Sequence, residues 1–146
     1  MTTLTPATSA SPRSSRLDLG LTVLRMLIGV IFVAHSLQKF FEYGIPGTTG
    51  AFTQMGAPLP ALTAPLVAAT ELLGGAALIL GLFTRAAGVL LALNMLGAMV
   101  LVHFRGGFFA PNGVEFVLAL FAASAALALT GPGRYSLDAV LARRGT

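Results

Sequence analysis

Four long apolar runs alternate with short segments rich in Gly, Pro and charge. They extend from about Leu19 to Phe41, Ala61 to Phe83, Ala86 to Phe104 and Gly113 to Thr130. A helix crossing a bilayer needs roughly 20 predominantly apolar residues, and the runs are of that order. They lack the period-two alternation of half-buried strands. They are apolar on every side, leaving no face for water as a soluble helical core would require. Between the first two runs, Glu42 to Pro60 carries Gly44, Pro46, Gly47, Gly50, Gly56, Pro58 and Pro60. That composition predicts a long loop with a short helical piece at Gly50–Met55. Pro65 falls in the first turns of the second run, where a missing backbone donor costs least. Thr84–Arg85 reads as a tight turn, and Arg105 to Asn112 as a Gly/Pro turn with Phe108 and Phe109 at interface depth. Gly131-Pro132-Gly133 ends the fourth run. Ser136 can then cap a short amphipathic helix, Leu137 to Arg144, on the membrane surface.

The fold class this predicts is all-α, an integral membrane four-helix bundle. Residues 1–17 read as a disordered tail, 18–133 as the membrane domain and 134–146 as a short amphipathic segment. A cleaved signal peptide is disfavoured, because Arg25 interrupts the first run and His35, Gln38 and Lys39 replace the small residues of a cleavage site. An even number of spans puts both termini on one side. That side holds Arg13, Arg16, Arg85, Arg134, Arg143 and Arg144, while the other holds Lys39 and Arg105. The asymmetry predicts cytoplasmic termini.

Composition agrees. Of 146 residues, 55% are hydrophobic and 10% charged, and the mean hydropathy is +0.85. An average soluble domain carries about 25% charged residues, so most soluble enzymes are excluded. The net charge of +4 lies in segments between apolar runs, which suits topology and gives no reason to expect a nucleic-acid partner. The chain has no cysteine, which excludes disulfides, iron–sulfur ligation and thiolate haem ligation. Redox chemistry therefore needs a bound cofactor, a quinone or a partner. No phosphate-binding GxxxxGK, strand-linked GxGxxG or HExxH is present, and no metal or nucleotide site is evident.

Candidate chemistry comes from the ionisable residues within the runs, each costing about 2.5–3.5 kcal/mol at a span centre. These are Arg25, His35, Lys39, Glu71, His103 and Glu115, with Gln38, Glu42 and Asn94 alongside. At ~1.5 Å per residue, His35, Lys39, His103 and Glu115 all fall in the outer half, contributed by three different helices, and Glu71 lies near mid-membrane. Arg25, His35 and Lys39 share one stripe of the first helix at ~100° per residue. Each residue also has a plainer reading. Glu71 can pair with Arg25 or His35 to neutralise a buried charge. Lys39 can snorkel to the outer headgroups. His103 and Glu115 can be interfacial, Asn94 can bridge helices, and Arg85 can simply set topology.

The functional reading is a lipid-accessible polar pocket. Its expected members are His35, Gln38, Lys39, Glu71, His103 and Glu115, with His35 and Glu71 as proton carriers and Lys39 as a carbonyl donor. A quinone headgroup fits such a site, with its tail in an apolar cleft between helices. Bis-histidine haem ligation by His35 and His103 ranks below it, since the chain has only two histidines and no further haem signal. A scaffold that recruits a redox enzyme through the Arg134–Arg144 tail is the alternative. A small transporter fits less well, because inverted repeats are not evident. Ala119, Ala122, Ala123 and Ala126 form a small-residue face suited to helix packing or a homo-oligomer contact.

LRMLIGVIFVAHSLQKFF (Leu24 to Phe41), ATELLGGAALILGLFTRAAGVLLAL (Ala69 to Leu93), VHFRGGFFAPNGVEF (Val102 to Phe116) and LTGPGRYSLD (Leu129 to Asp138) occur in this order. The pattern resembles the DoxX family of small bacterial membrane proteins, over about Leu19 to Asp138. The resemblance implies a four-helix bundle in the bacterial cytoplasmic membrane. It further implies a link to a thiosulfate:quinone oxidoreductase subunit, quinone handling or oxidative stress. That makes the chain a subunit of a membrane oxidoreductase rather than a stand-alone enzyme, with a redox-enzyme partner. Its recurring polar positions correspond to His35, Gln38, Lys39, Glu71, Gly74, Gly75, Arg85, Gly107, Glu115 and Arg134.

Overall fold

The structure, a computed structural model, describes residues 12–144, with side chains from Ser15 onward. The described residues are helical, with no strand among them. Helix α1 runs from Pro12 to Leu37, α2 from Gly44 to Gln54, α3 from Pro60 to Leu80, α4 from Thr84 to Ala98, α5 from Glu115 to Thr130 and α6 from Leu137 to Arg144. Three continuous helical stretches are long and apolar enough to cross a membrane: Ser15–Glu42, Pro60–Leu80 and Thr84–Gly106. Helix α5 is apolar but shorter, at 16 residues.

Four boundaries differ from the sequence pattern, one being the turn expected at Thr84–Arg85, which falls at Gly81–Phe83 because α4 already begins at Thr84. Helix α1 begins at Pro12, before the apolar run, because a proline at a helix start sacrifices a donor that is orphaned anyway. Residues 1–11 of the expected tail lie outside the described residues. The loop after the first run is largely helix α2, starting at Gly44 rather than Gly50. Helix α5 starts at Glu115, because Gly107 to Val114 fold into a compact turn, with the backbone amides of Val114 and Glu115 donating to the carbonyls of Gly107 and Phe108 at 3.0 and 2.9 Å. Ser136 does cap α6, its hydroxyl accepting from the Ala139 amide at 3.2 Å.

Helix α1 packs on α3, α3 on α4, α4 on α5, and α5 back on α1. The two tightest pairs, α1–α3 and α4–α5, follow one plan. In the first, a Cβ on Gly29 would stand 2.6 Å from the Gly75 carbonyl oxygen. In the second, a Cβ on Gly88 would stand 2.8 Å from the Ser124 carbonyl oxygen. Backbones approach so closely only where a side chain is missing. An arginine closes each pair at the same end. Arg25, 3% exposed, donates to the carbonyls of Leu78 (2.9 Å), Ile79 (2.8 Å) and Tyr135. Arg85 donates to Leu129 (2.8 Å), Ala128 (3.3 Å) and Thr130 (3.5 Å). Both arginines thus cap carbonyls that a helix end leaves without an intrahelical donor. The same interval separates Gly29 from His35 and Gly88 from Asn94.

The C-terminal segment locks onto this arginine end. Asp138 accepts from the amides of Phe83 (2.8 Å) and Thr84 (3.0 Å) at the start of α4, and its own amide donates to Gly81 O at 2.9 Å. Asp18 accepts from the Arg134 amide at 3.1 Å. A third close approach, Gly74 against Leu91, joins α3 to α4 in the same half. Phe32, Leu78, Leu91 and Leu127 form the fully buried centre. The helices are therefore pinned at the arginine end. No comparable glycine contact between helices holds α1, α3, α4 and α5 beyond Val33 and Leu91; there α1 is held to α3 by the Ser36 hydroxyl, which donates to Ala68 O at 2.7 Å.

Candidate functional site: a cavity around Lys39 and Glu71

At the end remote from the arginines lies a cavity of about 490 Å³, within the usual range for small-molecule sites. Its walls are mainly apolar, with Phe32, Met95, Phe116, Val117 and Leu120 among them. The polar exceptions are His35, Lys39, Glu71, Asn94 and His103, from three separate helical stretches, together with Thr63.

Glu71 sits on α3 with its side chain 5% exposed. Its Oε2 lies 2.6 Å from Lys39 Nζ, and its Oε1 accepts a long hydrogen bond of 3.4 Å from Asn94 Nδ2 on α4. Lys39 also donates to His35 O at 3.4 Å. One carboxylate therefore joins α1, α3 and α4. Pairing it with an ammonium leaves the buried group close to neutral, as an apolar surrounding demands. The plainer expectations for both residues change here. Helices α1 and α3 run antiparallel, which sets Arg25 against Leu78 and Lys39 against Glu71, so Arg25 serves the far end of α3. Lys39 turns inward to the carboxylate instead of reaching for headgroups.

Lys39 stands at the start of a π-helical turn. Gln38–Glu42 closes with the Tyr43 amide donating to Gln38 O at 3.0 Å, an i→i+5 bond that inserts an extra residue. The extension of α4 ends the same way, in a π-helical turn over Met99–His103. Lys39 and His103 thus both stand on π turns, which recur at functional sites. His103 Nδ1 lies 3.2 Å from Asn112 O. A carbonyl only accepts, so Nδ1 carries the proton and Nε2 is free to accept in the neutral ring. The His35 ring packs tilted on Phe116, centroids 5.8 Å apart, and its nitrogens have no hydrogen-bond partner among the described residues. His35 also borders a shallow outer groove with Gln38 and Glu42, so it stands between that groove and the cavity.

Of the expected site residues, His35, Lys39, Glu71 and His103 meet at the cavity. Gln38 and Glu115 do not line it. Gln38 faces the outer groove. Glu115 Oε1 accepts from the Ala110 amide at 2.7 Å and closes the turn before α5. Asn94 bridges helices as expected and joins the site by doing so. Sequence reasoning missed Phe116 and the π turns. An aromatic in an apolar run gives no signal of facing a histidine. The π turns change helical phase by a residue that the hydrophobic pattern does not register. Among the described residues, no group of three or more His, Cys, Asp or Glu could hold a metal ion.

Long apolar helices around a partly open cavity, with the Lys39–Glu71 ion pair beside it, define a helical membrane protein with an interior space. The chain belongs to the DoxX family, whose pattern it matches over residues 20–104. It is 40% identical over 121 residues to "Putative oxidoreductase CatD" of Bacillus subtilis (strain 168), covering 83% of this chain and 86% of the relative. It is 34% identical over 134 residues to "Uncharacterized membrane protein Rv3486" of Mycobacterium tuberculosis (strain ATCC 25618 / H37Rv), covering 84% and 82%. It is 32% identical over 124 residues to "Inner membrane protein YphA" of Escherichia coli (strain K12), covering 81% and 87%. No solved structure matches. The apolar spans and the inner-membrane relatives make this chain a multi-pass protein of the bacterial inner membrane.

Proposed function

We propose that this protein is a quinone-interacting subunit of a membrane redox or oxidative-stress system. In this reading α1, α3, α4 and α5 are the four spans of a bundle, and both termini are cytoplasmic. The arginine end then faces the cytoplasm, and the cavity lies in the outer half. The observation that carries the proposal is the cavity itself, an apolar space of about 490 Å³ with its hydrogen-bonding groups gathered around Lys39, Glu71 and Asn94.

That donor set suits a quinone. Lys39 has one N–H beyond those directed at Glu71 and His35 O, and it can donate to a ring carbonyl. His103, its Nδ1 proton held by Asn112 O, lines the cavity and keeps Nε2 available as an acceptor. His35 and Glu71 can hold and release protons beside the headgroup. The Phe32 and Phe116 rings offer flat apolar walls. When bound, a quinone supplies a carrier of two electrons and two protons. The relative named as an oxidoreductase supports the redox setting.

A reduced-minus-oxidised absorption spectrum of the detergent-purified protein, with quinone extraction, tests this. A near-stoichiometric quinone signal that falls at least severalfold in Glu71→Gln and His35→Ala is the expected result. Unchanged binding in both variants, with the proteins still folded, overturns the site.

A further inference from the structure

We infer that the cavity is entered sideways from the bilayer, through a notch over Gly97 between α3 and α4, and that Gly97 sets the girth of the ligand chain that lies there. This rests on the quinone reading and concerns the tail rather than the headgroup.

Two residues place the opening. Leu93 and Leu101 both line the cavity, yet they are 59% and 49% exposed on the outer surface. A residue that borders an interior space and the exterior together stands where the two meet. Both lie within the apolar stretch Thr84–Gly106, so the exterior there is hydrocarbon rather than water. Gly97 sits one turn from each, and it too lines the cavity. Across from it, Thr63 and Val67 of α3 line the same space.

Gly97 differs from the other glycine of α4. A Cβ on Gly88 would meet α5 backbone at 2.8 Å, so its missing side chain is what allows the helices to touch. A Cβ on Gly97 would meet nothing within 4 Å. Packing does not require a glycine there, and a glycine costs helix stability relative to alanine. What its absence of side chain does produce is a gap between Leu93 and Leu101. The gap leads from hydrocarbon towards the space beside Lys39 and Glu71. An isoprenoid tail suits it, being apolar along its length and already in the bilayer. Met55 and Pro58 form a competing rim outside the apolar spans, which would admit a ligand from the water side.

The test uses two photoreactive azidoquinones with the same ring, one without a tail and one with several isoprene units. Labelling that unlabelled quinone competes away is measured by mass spectrometry in lipid nanodiscs, for wild type, Gly97→Ala and Gly97→Phe. Because the position is unobstructed, both variants should fold, checked by thermal unfolding. The expected result is labelling of wild type by both probes, little change in Gly97→Ala, and a selective fall for the tailed probe in Gly97→Phe. That fall should be at least about tenfold, the scale of an overfilled contact. Equal labelling of Gly97→Phe and wild type by the tailed probe overturns the notch and leaves the quinone reading standing. An equal loss of both probes in Gly97→Phe overturns the role in the tail. No competable labelling of wild type withdraws the quinone reading, and the inference with it.

Discussion

Lys39 Nζ stands 2.6 Å from Glu71 Oε2, tying the π turn after α1 to the middle of α3. The two groups are unequally buried, at 18% and 5% side-chain exposure. Removing the lysine leaves a buried carboxylate held only by Asn94. Lys39→Met should therefore destabilise the protein by about 2–3 kcal/mol, somewhat less than a fully buried pair loses when one partner is deleted. Lys39→Met combined with Glu71→Leu should recover most of that loss, because no charge is then stranded. Thermal unfolding in detergent reads both. Recovery of stability without recovery of quinone binding would separate the pair's structural part from its chemical one.

Arg25 is a second buried charge, held through its two terminal nitrogens by carbonyls instead of a carboxylate, with Nε left without a partner. Its guanidinium reaches Leu78 O, Ile79 O and Tyr135 O together. A lysine ammonium is a compact donor on a flexible stem and cannot span the same fork. Arg25→Lys should cost about 1–3 kcal/mol, and Arg25→Leu more, since the α3 carbonyls lose their donor. Limited proteolysis should show the segment after Gly133 becoming cleavable in both variants before the spans unfold.

Asp138 holds the start of α4 by accepting from two backbone amides. Losing such a cap costs about 1 kcal/mol, and up to 2 in tighter settings. Asp138→Ala should show that loss in thermal unfolding. Truncation after Gly133 should cost more, because it also removes the Tyr135 carbonyl that Arg25 holds. The purified protein should be destabilised with no partner present. An unchanged melting temperature on truncation would instead free the tail for the recruiting role of a scaffold.

The glycines divide by position. Gly29 faces the Gly75 carbonyl so closely that any side chain must push the helices apart. Gly29→Val should cost at least about 1–3 kcal/mol, the usual penalty of overpacking. Gly97→Ala should change stability by no more than about 0.5 kcal/mol, as for a position away from packing. Expression level and melting temperature of the two variants test this contrast.

Much of the fold was legible as hydropathy. Run length and the absence of alternation predict apolar helices, and the Gly-Pro-Gly break and Ser136 mark the last helix correctly. These features are local, so the residues that carry them are neighbours in sequence. Residue count along helices of known rise put His35, Lys39, His103 and Glu115 in one half and Glu71 near the middle; the cavity gathers His35, Lys39, Glu71 and His103, while Glu115 closes the turn before α5. Three things were decided by tertiary structure. The partner of Glu71 depended on the antiparallel register of α1 on α3, which Gly29 and Gly75 set through backbone contact. The π turns that carry Lys39 and His103 depended on tertiary context too, since an inserted residue leaves the apolar pattern unaltered. The cavity itself is a product of packing: arginine caps and glycine contacts gather at one end, while at the other α1 and α3 are joined by the Ser36–Ala68 and Lys39–Glu71 hydrogen bonds beside an open space. Sequence names the residues that must be compensated inside a membrane, and only the packing of helix on helix chooses what compensates them.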